Sequence, residues 1–122
     1  MSTYESYEAP NLEPSDFSIG DLCKLFRVLD VLEEAASMSH QHVQNLAKRD
    51  TPASEYLVAM QEYLFAQRST LVDELRERPN TDDADGRMRL AVLVQYEAWC
   101  REFEPETVAQ FLGSPLATEA GK

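Results

Sequence analysis

Between Ile19 and Leu46 the chain carries an apolar stripe at helical spacing, with no proline and no glycine after Gly20. Leu22, Leu25, Phe26, Leu29, Leu32, Ala36, Val43 and Leu46 recur three, four or seven residues apart, which places them on one face of a helix. Lys24, Arg27, Asp30, Glu34, Ser37 and Gln41 take the opposite face. Cys23, Val28, Val31 and Ala35 widen the stripe far around the cylinder. A helix resting on one neighbour needs a narrower apolar face than this. The spacing therefore predicts a central helix with neighbours, or a partner subunit, on more than one side. Leu25, Leu29 and Leu32 are the expected contact positions for such a partner.

Punctuation along the chain divides the remainder. Ser18 reads as the N-cap of the first helix, with Asp21 three residues on, and the helix is expected from Ile19 to Lys48. Met38 to His42 marks a place for a kink or an early stop. Thr51-Pro52 starts a second helix, a capping hydroxyl followed by proline at the first helical position, and Pro79 ends it after Arg78. Its expected stripe is Leu57, Met60, Leu64, Leu71 and Leu75. A third helix is expected from Asp83 to Phe103, burying Met88, Val92, Tyr96, Trp99 and Phe103. Glu104-Pro105 begins a short fourth one, which Gly113 and Pro115 close. Short links imply antiparallel neighbours. The expected fold class is all-α: a small bundle of three main helices plus a short C-terminal helix, over residues 18–113. An extended acidic arm, residues 1–17, precedes it, and a flexible tail, residues 114–122, follows.

Charge narrows the functional classes. The chain has 122 residues, 22 acidic and 11 basic side chains, and a net charge of -11. Residues 1–17 hold four acids and no base, whereas residues 18–49 are balanced. With so few bases and no basic cluster, direct binding to nucleic acid or anionic lipid is not expected. No apolar run approaches the about 18 residues of a membrane span. The acidic N-terminus lacks the positive charge of a secretory signal or transit peptide, so the expected location is cytoplasmic. Cys23 and Cys100 each lie inside an apolar run and read as two small buried hydrophobes rather than a disulfide or a zinc site.

Candidate chemistry is sparse. Asp83-Ala-Asp-Gly86 resembles the middle of a calcium loop, but the position where a bidentate glutamate should close the shell is Val92. Aspartates also cap helix N-termini, and that role suits the place better. His40 and His42, two apart, diverge on a helix and read as surface histidines; Cys23 lies several turns from both. In the second helix Gln67 and Arg68 interrupt the apolar stripe. Arg68 fixes register or anchors a partner's carboxylate, or else, as is commoner, the second helix simply curves there or Arg68 snorkels outward over its neighbours. Tyr4 and Tyr7 are aromatic anchors along the acidic arm, available to a partner.

No catalytic set, phosphate loop or dinucleotide fingerprint is present. The expectation is a non-catalytic, cofactor-free protein–protein interaction module, an adaptor, dedicated chaperone or inhibitor, forming a homodimer or another complex. Two alternatives are an acidic decoy that blocks a nucleic-acid-binding protein, and a structural subunit of a larger assembly, cellular or viral.

Overall fold

The computed structural model describes residues 13–47 and 51–114. Its regular structure is helical throughout: α1 (Ile19–Ala47), α2 (Pro52–Glu77), α3 (Ala84–Cys100) and α4 (Pro105–Leu112), preceded by a 3-10 turn at Pro14–Asp16. The all-α class and the four helices agree with the spacing of the sequence. Tyr4, Tyr7, Lys48 and residues 115–122 lie outside the described residues, as do the side chains of Val43 and Leu46. No described helix is long and apolar enough to cross a membrane.

The helix starts follow the capping chemistry. Ser18 Oγ accepts the Asp21 N–H at 3.1 Å. Thr51 and Ser54 cap each other: Thr51 Oγ1 accepts the Ser54 N–H at 3.2 Å, and Ser54 Oγ accepts the Thr51 N–H at 2.8 Å. Asp83 caps α3 by accepting the Gly86 N–H at 2.8 Å and the Thr81 hydroxyl at 2.6 Å. A Cβ at position 86 would sit 1.9 Å from the Thr81 carbonyl oxygen, so the close turn admits only glycine. The loop that resembled a calcium site is therefore a capped helix start, and among the described residues no group of three or more His, Cys, Asp or Glu side chains could hold a metal ion.

Other expectations are corrected. α1 runs without a stop through Met38–His42. His42 is exposed, but His40 is half-buried, its Nδ1 lying 3.1 Å from the Ser54 carbonyl oxygen at the start of α2. The last part of the expected extended arm is also wound up. Pro14–Asp16 turn back on α2, Arg78 Nη2 donates to the Pro14 and Phe17 carbonyls at 3.2 and 2.7 Å, and Phe17 packs on the core. α3 ends at Cys100 rather than Phe103. Arg101 adopts the left-handed conformation (φ 59°), and the Glu102 N–H returns to the Glu97 carbonyl.

α1 and α2 form a long antiparallel hairpin, and α3 lies against both near the open end of that hairpin. There the core assembles from Leu22, Cys23 and Phe26 of α1, Leu71, Val72 and Leu75 of α2, and Val92, Leu93 and Tyr96 of α3. Trp99 and Phe103, expected to be buried, are exposed, and Cys100 is exposed beside them. The face of α3 that is buried instead carries Arg89 and Glu97. Glu97 accepts the Glu104 N–H at 2.7 Å and the Thr107 hydroxyl at 2.8 Å, which seats α4. Arg89 donates to the Leu75 carbonyl at 2.6 Å and to Gln110 at 3.0 Å. With Arg89 and Glu97 on it, the buried face of α3 keeps Val92 and Tyr96 of the expected stripe at its edge and leaves Trp99 outside.

Candidate functional site

With 17 residues α3 spans about 25 Å, against about 39 Å for the 26-residue α2 and about 43 Å for the 29-residue α1. The closed end of the hairpin therefore extends past its third neighbour. Phe65 and Ser69 mark where α3 still touches α2: Phe65 stacks on Tyr96 and lies tilted against Trp99, and Ser69 Oγ lies 2.7 Å from Tyr96 Oη. Well around each helix from these contacts, on the side turned away from α3, the hairpin opens into an apolar groove of about 650 Å³. Leu32, Ala35, Ala36 and Ser39 line it from α1, and Tyr56, Ala59, Met60 and Tyr63 from α2.

Among the described residues no charged side chain lines this groove, although the chain carries a net charge of -11. Exposure is high at Val31 (65%), Leu32 (48%), Tyr56 (66%) and Tyr63 (59%), and Val28 prolongs the surface by one turn. At the usual areas for aliphatic and aromatic side chains, the bare apolar surface is on the order of 500 Å². A patch of that size is at the upper range of the largest patch on a typical monomer, and such patches are often functional.

The residues singled out by sequence are divided by the fold. Leu32 lines the groove. Leu25 and Leu29 are half-buried and pack against the chain's own core, so they form the inner edge of the apolar face rather than its centre. Tyr56, Ala59, Met60 and Tyr63 were not identified as a site by sequence. Their signal is the same as that of α1, a second apolar line at spacings of three, four and seven beside the buried stripe of α2. Met60 belongs to this open face and not to the buried stripe expected of it.

Arg68 does not snorkel. It is 2% exposed, paired with Asp30 and, at 3.0 Å, with Glu33, both on α1. Its guanidinium carbon lies 4.7 Å from the Trp99 ring centroid and within 6 Å of the rings of Phe26, Phe65 and Tyr96. An aromatic box with two internal carboxylates thus neutralises the cation, and it locks α1 to α2 where the core ends. Burial pushes the Glu33 carboxyl above its usual range against the opposing pull of Arg68. Burial likewise raises the Tyr96 hydroxyl and the Cys23 thiol, leaving Cys23 protonated and unsuited to nucleophilic attack. A smaller polar recess beside the box is bordered by Glu34, Ser37, Gln61 and Trp99. The apolar groove offers no proton donor, acceptor or charge to act on a reacting bond beyond the hydroxyls of Ser39 and the two tyrosines. What it offers is desolvation of a complementary surface.

The chain matches no known family model, no curated protein and no solved structure, so its own geometry carries the functional argument.

Proposed function

We propose that this protein is a non-catalytic protein–protein interaction module, an adaptor, dedicated chaperone or inhibitor, whose binding element is the apolar side of the α1–α2 hairpin. One observation supports this reading: on the side of the α1–α2 hairpin turned away from α3, a continuous groove with no charged side chain among its described lining residues stays bare. Aromatic and methionine side chains are enriched at interfaces, and Tyr56, Met60 and Tyr63 stand exposed along this groove. The acidic arm belongs to the same reading as a second contact, with Tyr4 and Tyr7 as its anchors.

The test compares complexes recovered on the wild-type chain with those on Met60→Glu and, as a control on the far side of the molecule, Val108→Glu in α4. Complexes lost with Met60→Glu and kept with Val108→Glu are the expected result. Complexes indifferent to Met60→Glu, or none at all, overturn the proposal.

A further inference from the structure

We infer that the occupant of the hairpin groove is a second copy of this chain, packed about a two-fold axis so that two hairpins form a four-helix layer. The inference rests on the interaction reading above and names its partner. Charge is the first reason. Two molecules of net charge -11 repel, and burying carboxylates between them would strand unpaired charge. Among the described residues this groove has no charged lining, and Val28 on α1 and Gln67 on α2, one turn toward the open end, are uncharged; Glu55 and Glu62, which flank Ala59 on α2, are exposed at its outer edge and can stay in solvent. The same absence disfavours a basic partner, because no carboxylate in the groove is available to receive its lysines or arginines.

Shape is the second reason. A two-fold interface uses one patch twice, so that patch must hold both projections and recesses. Here Leu32, Tyr56 and Tyr63 project, and Ala35, Ala36 and Ala59 form the floor between them. Tyrosines suit the rim, where the ring is buried and the hydroxyl stays wet. Area is the third reason. On the order of 500 Å² of apolar side chain, with surrounding backbone and polar edge, approaches the about 800 Å² that each partner contributes to a stable complex.

Sedimentation of the full chain between about 1 and 100 µM tests this, with Ala35→Glu as the disrupting variant and Val108→Glu as control. Ala35 is exposed in the single chain, so its substitution leaves the fold intact, and an unchanged helical circular dichroism spectrum checks that. The expected results are a dimer mass for the wild type and for Val108→Glu, and a monomer mass for Ala35→Glu, with association weakened at least about 100-fold. A wild type that is monomeric across the range overturns the second copy as occupant, and so does a dimer that survives Ala35→Glu. If the monomeric wild type nevertheless holds another protein and Ala35→Glu releases it, the interaction reading survives and only its partner changes. If Ala35→Glu alters no complex of any kind, both fail.

Discussion

The two ends of the α1–α2 hairpin are built from similar residues and meet different fates. At the open end, Leu22, Cys23 and Phe26 of α1 and Leu71, Val72 and Leu75 of α2 pack in one core with α3, and Leu22, Leu71, Val72 and Leu75 have no measurable exposure. At the closed end, Val31, Leu32, Met38, Tyr56 and Tyr63 are each about half exposed or more. Hydrophobicity alone does not separate the two sets. What separates them is where α3 lies: it packs on one side of the hairpin near the open end and leaves the side that carries the groove without a neighbour among the described residues. An apolar helix face is thus a statement about what it needs, and the tertiary structure decides whether the chain itself supplies it.

Truncation should separate the ends most sharply. Leu71→Ala, in the packed end, should cost about 3–4 kcal/mol in urea unfolding, whereas Met60→Ala, in the open end, should change stability by less than about 0.5 kcal/mol in a monomeric background. Equal losses at the two positions would break the comparison. At the boundary, Arg68→Ala should cost about 3 kcal/mol. That lies at the low end for a buried pair, because Asp30 keeps a third of its side chain in solvent while Glu33 is left buried and unpaired. A near-neutral result would mean that the aromatic box holds the helices without the charge.

The ends of α3 give smaller effects. Arg101 occupies a left-handed position that glycine adopts without strain, so Arg101→Gly should raise stability by up to about 1 kcal/mol. A loss would show that the Arg101 side chain contributes more than its backbone strain costs. At the other end, the Thr81 hydroxyl and then the Gly86 amide hold the Asp83 carboxyl below its usual range. A carboxylate lowered in the folded state contributes stability above its unfolded pKa near about 4 and loses it as pH falls through the folded value. Asn caps a helix as well as Asp but does not titrate. Asp83→Asn should therefore leave the Tm at neutral pH nearly unchanged and make its fall below about pH 4 shallower.

Much of the local structure was legible in the residues. Ser18, Thr51-Pro52 and Asp83 announce their helices because a cap is a contact of three residues' span. The breadth of the α1 stripe announces more than one neighbour, and of the residues that line the groove it singles out Leu32. The α2 lining is not singled out, because an apolar line beside a buried stripe looks like part of that stripe until the neighbouring helix is in place. Arg68 was misjudged for a related reason. Its carboxylate partners lie on another helix, 38 residues away in the case of Asp30. Helical spacing within α2 cannot show that two acids of α1 and four aromatic rings converge there.

By itself, then, the sequence determined where the helices begin, that all regular structure among the described residues is helical, and that α1 carries more apolar surface than one neighbour can cover. These depend on interactions within one or two turns, where spacing is geometry. Tertiary structure alone decided that α3 stops at Cys100, that Arg89 and Glu97 are buried in place of Trp99 and Phe103, and which side of the hairpin stays bare. Those outcomes depend on the mutual rotation of helices. Buried charges such as Glu97 are satisfied there by hydrogen bonds to backbone and side chains that meet only when the chain has folded.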